Sequence, residues 1–281
     1  MEIGILSKTI SRPTLEEELD CIRAHGIRCV QFSLTSTSLS HMPDEIPPSV
    51  RDNVRQTLAA KGVIMSGISG TYNMAHPNPV VRQDGLRRLK VMIEACRDLG
   101  TSVITLCTGT RDPENMWRRH TDNDTTEAWR DLCQSVSQAL PAAEEKKVIL
   151  AFEPEVSNII DSARKGRQLI DEMQSDNLKV VMDGANIFHR GELATMRQVL
   201  DQAFDLLGDD IVLAHAKDLD QDGEAGNRPA GKGLMDYDHY IGLLRQVNYN
   251  GPLLLHGLKE SEVAECIGFL QQKLVWKPAS F

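Results

Sequence analysis

The chain lacks any closely spaced pair of cysteines. Its six, Cys21, Cys29, Cys96, Cys107, Cys133 and Cys266, are scattered with no CxxC, which argues against a disulfide framework and suits reduced thiols in the cytoplasm. Also missing is any run of about 18 apolar residues, the minimum for a membrane span. The amino-terminal MEIGILSKTIS has neither the basic region nor the long apolar core of a secretion signal. A soluble cytoplasmic protein is expected. Basic excess is absent too: 40 Asp and Glu outnumber 31 Lys and Arg, for a net charge of -9. A surface built to neutralise duplex phosphates is thereby disfavoured.

Hydrophobic residues at 41% and charged residues at 25% of 281 are ordinary globular usage, enough for a large core. Apolar runs of strand length recur at Glu2 to Ser7, Arg28 to Leu34, Val63 to Ser69, Ser102 to Cys107, Val148 to Glu153, Lys179 to Asp183, Ile211 to Asp218 and Pro252 to His256. Between and after them lie helical stretches at Pro13 to His25, Val50 to Ala60, Pro79 to Leu99, Thr125 to Lys146, Asp161 to Met173, Leu193 to Leu207, Met235 to Val247 and Glu260 to Leu274. Thr14 is the expected cap of the first, and Gly26 and Gly62 the expected stops of the first two. This alternation, with no linker, predicts one closed (β/α)₈ TIM barrel domain over residues 1–281. A doubly wound open sheet is the alternative, but no G-x-G-x-x-G follows the first strand.

Four of the strands end on groups that bind metals. VILAFEPE delivers Glu153, KVVMDGAN Asp183, IVLAHAKD His215 and PLLLHGLKE His256. In a barrel all strand ends meet on one rim, so residues far apart in sequence converge. Two carboxylates and two imidazoles suit one divalent ion, Mn²⁺, Co²⁺ or Zn²⁺ ahead of Mg²⁺. Lys217 shares the parity of His215 and is expected to face the same way, while Asp218 turns to the other face or into the loop.

Around this rim, the loop GTYNMAHPN offers Tyr72, Asn73 and His76 for substrate, and the long loop TGTRDPENMWRRHTDND offers Arg111, Trp117 and His120. Glu155, Asn158 and Asn186 lie just beyond strand ends and are further substrate candidates. Cys107 paired with His76 or His120 is a weaker nucleophile reading. PAGKG at Pro229 to Gly233 lacks the Walker spacing and reads as a turn. His25, His41 and His239 read as structural or solvent-facing.

With those residues in place, the chain resembles the sugar phosphate isomerase/epimerase family of xylose isomerase-like TIM barrels nearly end to end. The matching pieces are SGTYNMAHPN, LCTGTRDPENMW with His120, AFEPE, MDGAN, HAKD, GKGLMDY and LLLHG, in that order. The resemblance implies Glu153, Asp183 and His215 as metal ligands. It also exposes a departure: His256 stands where epimerases resembling D-tagatose 3-epimerase have a glutamate that binds metal and moves a proton.

The expected activity is a metal-dependent isomerisation or epimerisation of a small sugar, sugar phosphate or cyclic polyol through a stabilised enediolate. Glu153, Lys217 and His256 are its expected catalytic groups. A dehydratase of a polyol ketone and a barrel that binds metal or carbohydrate without turnover are the alternatives. A metal-dependent endonuclease like endonuclease IV needs more ligands and a basic face. The expected partners are a small sugar or polyol, with neither nucleic acid nor membrane; self-association into a homo-oligomer is left open.

Overall fold

A computed structural model of the chain describes residues 1–275. Residues 276–281, the end of the expected domain, lie outside the described residues. Eight parallel strands form the centre: β1 (Ile3–Leu6), β2 (Cys29–Phe32), β3 (Ile64–Ser69), β4 (Val103–Leu106), β5 (Ile149–Phe152), β6 (Leu178–Asp183), β7 (Ile211–Asp218) and β8 (Leu253–Leu255). β1 pairs with both β2 and β8, and β7 with both β6 and β8, so the sheet closes on itself. Helices α1 (Leu15–Ala24), α2 (Pro48–Lys61), α3 (Pro79–Leu99), α4 (Thr126–Lys146), α5 (Ala163–Met173), α6 (Met196–Leu207), α7 (Tyr237–Gln246) and α8 (Val263–Leu274) surround it. The chain is the expected single TIM barrel.

Local chemistry sets the helix ends. Thr14 accepts from the Glu17 backbone while the Glu17 carboxylate accepts from Thr14 N, a capping box that starts α1. Gly62 and Gly100, at φ 61° and 106°, take the left-handed conformation that stops α2 and α3. α6 and α8 start later than the sequence suggests, because Leu193–Thr195 and Glu260–Glu262 wind as short 3₁₀ turns before them.

Alternation along the strands sorts the core into two bodies. Leu6, Ala151, Val181, Leu213 and Leu254 fill the bore, and a much larger cluster lies between the outer strand faces and the helices. Glu153, Asp183, His215, Lys217 and His256 continue the inward parity of Ala151, Val181, Leu213 and Leu254. They stand on the bore at the strands' carboxyl ends.

Two register shifts keep the inward faces aligned. Between β2 and β3, Val30 pairs with Met65 but Gln31 with Gly67, leaving Ser66 extra; its hydroxyl donates to Val30 O at 2.9 Å. Between β6 and β7, Val180 pairs with Ile211 but Val181 with Leu213, leaving Val212 extra.

The glycine-rich loop after β7 contains a two-residue strand, Arg228–Pro229, that pairs antiparallel with Lys217 and Asp218 and has no sequence signature. Asp218 anchors this loop. Its carboxylate accepts from Leu219 N, Met235 N and Gly231 N at 2.9, 2.9 and 3.0 Å. The Gly231 donor of PAGKG is thus spent inside the protein. All six cysteines are free, and no helix of the described residues is long and apolar enough to cross a membrane.

Candidate metal centre

Asp183 ends β6 directly opposite His215 of β7, with which it is register-paired. Its Oδ2 lies 3.6 Å from His215 Nδ1 and 3.7 Å from His256 Nδ1. These three atoms are buried and have no hydrogen-bond partner. Among the described residues, Asp183, His215 and His256 form a group whose ligand atoms all lie within 4.8 Å of one another. Buried polar atoms are rarely left unpaired, since each costs about 1–3 kcal/mol. Three such atoms aimed at one point fit a cation that accepts all three lone pairs.

Glu153 stands beside this group rather than within it. Its Oε2 is 3.5 Å from His215 Nδ1, and its Oε1 accepts from Asn186 Nδ2 at 2.5 Å. Lys217 Nζ is 3.2 Å from Asp183 Oδ2. The inward parity read from the strands therefore brings both carboxylates, both imidazoles and the ammonium together.

Burial and charge act against each other here. Burial alone would raise the Asp183 carboxyl, but Lys217 and the two imidazoles outweigh it and hold the group well below the usual carboxylate range. The same contest leaves Glu153 lowered, with burial opposed chiefly by His215. For His215, burial is outweighed by Glu153 and Asp183, and its pKa rises to about 9. His256 goes the other way: burial of its inward edge lowers it to about 4, keeping a neutral imidazole with a free lone pair. Glu155, pushed up by burial and by Glu153, reaches about 8.

A cavity opens over these groups. It is lined by Glu153, Glu155, Asn158, His215 and His256, by Gln31, Ser69 and Thr105 from neighbouring strands, and by the half-exposed Trp117. Asn158 Oδ1 accepts from Gly109 N at 2.9 Å and Cys107 Sγ at 3.0 Å, fastening the loop after β4 to that after β5. Cys107 also lines the cavity, but burial pushes its thiol far up, so it holds its proton.

Several expected substrate residues are placed elsewhere. Asn73 accepts from Thr110 N and Ala75 N and donates to Asp112 O, acting as a loop clamp. Arg111 is buried against Asp131 at 2.8 Å and bonds Ala75 O. His76 is held by Pro113 O and Asn78 N, and His120 accepts from Asp122 N as a cap. Neither imidazole is beside Cys107. The Tyr72 ring covers Gly85 of α3. These five do not line the cavity over the centre, because both loops fold back onto the barrel. Glu260, four residues beyond His256, is bound by Arg12 at 2.5 and 2.9 Å.

Ser69, Thr105, His41 and Gln31 line the cavity without having been read as candidates from sequence. His41, read as structural or solvent-facing, lines the cavity with Nε2 2.8 Å from Thr71 Oγ1. Gln31 is buried in the bore and meets His215 Nε2 at 2.9 Å. Its signal was a lone amide at an inward position of the otherwise apolar CVQF.

The likeness to solved structures extends over the whole barrel. A 3-keto-D-glucoside 4-epimerase from E. coli superposes with a TM-score of 0.74 at 16% identity, covering 97% of this chain and 99% of that one. A D-tagatose 3-epimerase-like protein gives 0.76 at 14% identity, with 98% and 97% covered. A probable 3-DHS dehydratase from Bacillus anthracis gives 0.74 at 12%, with 96% and 99% covered. Such identities speak for the fold alone. The profile of one family, however, matches residues 19–273, and the chain belongs to the xylose isomerase-like TIM barrels.

Proposed function

We propose that this protein is a divalent-metal-dependent isomerase or epimerase of a small polyhydroxylated ketone, a sugar or cyclic polyol. The observation that carries the reading is the convergence of three buried atoms without a hydrogen-bond partner, Asp183 Oδ2, His215 Nδ1 and His256 Nδ1, at the carboxyl end of the barrel. Glu153, with Oε2 turned toward His215, is the fourth donor we assign. Two imidazoles favour Mn²⁺, Co²⁺ or Zn²⁺ over Mg²⁺. When bound, the ion would supply positive charge to a substrate carbonyl oxygen and so acidify the adjacent C–H bond.

The chain's own groups would do the rest. Glu153, kept ionised and oriented by Asn186, takes the proton from carbon. Lys217, paired through Nζ with Asp183, has further N–H donors for negative charge developing on substrate oxygen. Glu155, buried at the cavity wall, is the second carboxyl within reach of the same space. The enzymes among the structural neighbours, epimerases of 3-keto-D-glucoside and D-psicose and a probable dehydratase, support this class of chemistry.

His256 favours a second reading on the same site. Where a glutamate would move a proton on the opposite face, a ligating imidazole has its lone pair occupied. Proton removal by Glu153 followed by loss of hydroxide is then the simpler course, giving a dehydratase.

The test loads metal-stripped protein with Mn²⁺, Co²⁺, Zn²⁺ and Mg²⁺ in competition, then follows deuterium uptake from D₂O into ketoses and inososes. About one transition metal per chain, lost in Asp183→Asn, with deuterium entering substrate carbon, is the expected result. A product lighter by one water would select the dehydratase. Metal binding with no exchange in any substrate would leave a non-catalytic barrel.

A further inference from the structure

Gln31 lies on β2, across the bore from the metal-binding strand ends, and all its polar atoms are engaged. Its Nε2 donates to Ser69 Oγ on β3 at 2.9 Å and to Thr105 Oγ1 on β4 at 3.1 Å. Its Oε1 faces His215 Nε2 on β7 at 2.9 Å. Gln31, Ser69, Thr105 and His215 are all buried. One amide thus links three neighbouring strands to the fourth that carries the imidazole.

The direction of these bonds fixes a proton. An amide oxygen can only accept, so His215 Nε2 must be the donor. An imidazole binds a cation in its neutral form, with a single N–H, and with that hydrogen on Nε2 the lone pair belongs to Nδ1. That is the atom left without a hydrogen-bond partner and turned toward Asp183 Oδ2 and Glu153 Oε2. The opposite tautomer would point a hydrogen into the cluster and could not ligate.

We propose that Gln31 is a positioning residue of the metal centre, holding His215 as the Nε2–H tautomer with Nδ1 presented to the ion. This rests on the metal-centre reading above. Ser69 and Thr105 complete the device: their oxygens accept both N–H groups of Nε2, which leaves Oε1 facing His215. An acceptor on the far nitrogen of a ligating histidine typically changes metal affinity about 10–100-fold. Gln31→Leu removes the acceptor. Gln31→Glu keeps an oxygen for His215, and the two hydroxyls can rotate to donate to the new carboxylate.

The test measures Zn²⁺ affinity by competition with a chelator in wild type, Gln31→Leu and Gln31→Glu, with ¹⁵N-histidine NMR of the Zn²⁺-loaded wild type. We expect about a 10–100-fold weaker affinity in Gln31→Leu and near-wild-type affinity in Gln31→Glu. We also expect a His215 signal with a protonated Nε2 and a metal-bound Nδ1. Gln31→Leu as tight as wild type, or a His215 protonated at Nδ1, would overturn the inference while the metal centre stands. The wild-type spectrum decides the tautomer even if Gln31→Leu does not fold. Wild-type protein that takes up no Zn²⁺ would overturn the centre and Gln31's role with it.

Discussion

The side-chain amide of Asn186 donates to Glu153 Oε1 at 2.5 Å, while its own Oδ1 accepts from Gly226 N at 3.0 Å. The loop after β6 thereby aims the carboxylate that ends β5. Asn186→Asp would replace the donor with a like charge, so deuterium exchange into substrate should fall about 10–100-fold. An unchanged rate in the variant would mean that the amide does not orient Glu153.

Metal should also be visible as stability. An ion at about 100 times its Kd adds about 2.7 kcal/mol to a folded state that alone binds it. For a chain of this size that is a rise of roughly 5–10 °C in Tm. His256→Ala removes one of the three converging atoms, and scanning calorimetry at the same Zn²⁺ concentration should find most of the rise gone. A full rise in the variant would exclude His256 as a ligand.

Gly85 is a helix-interior glycine with a packing reason. A Cβ there would lie 2.1 Å from Tyr72 Cδ2, inside the ring's contact distance. In an open helix Gly→Ala gains about 0.8–1.0 kcal/mol. Here Gly85→Ala should instead destabilise by about 1–3 kcal/mol through overpacking. Urea unfolding checks the sign, and in a Tyr72→Ala background the same change should turn stabilising.

Glu18 carries a pH dependence away from the candidate metal centre. Burial raises its pKa from 4.5 to about 7, against the opposing effects of the Ser36 hydroxyl and Arg12. Between those values the folded chain binds more protons than the unfolded one. Stability tied to Glu18 is therefore complete below about pH 4.5 and lost as pH rises through about 7. Glu18→Gln, which can still accept from Ser36 through its amide oxygen, should be the more stable protein at pH 8 by about 1–3 kcal/mol. Equal denaturation midpoints at pH 5 and pH 8 in wild type would contradict this.

The strand ends were legible because a carboxylate or imidazole interrupts an apolar run, and period-two alternation then fixes which way it faces. That is why Glu153, Asp183, His215, Lys217 and His256 were brought together from sequence alone, and why β7 runs from Ile211 to Asp218 as read. The loops were not legible in the same way. Composition says that Asn73, His76, Arg111 and His120 are polar, not whether they bond solvent, substrate or their own backbone. Each satisfies nearby protein groups instead. His41 failed in the opposite sense, since only the path of the chain between β2 and β3 brings it to Thr71. Gln31 sat inside a strand rather than at its end, where a single amide has no neighbouring motif to mark it.

The two extra residues, Ser66 in β3 and Val212 in β7, act as phase corrections in a two-beat pattern. With Val212 as the extra beat, Ile211 packs outward and Leu213 inward although they are two residues apart; beyond it the ladder is regular, so losing Ala214 would turn His215 to the outer face of β7, away from Asp183. Every candidate ligand would still be present in the chain, in the same order, and HAKD would still be intact. A one-codon deletion that removes no ligand would therefore abolish the centre while leaving a sequence that reads as intact.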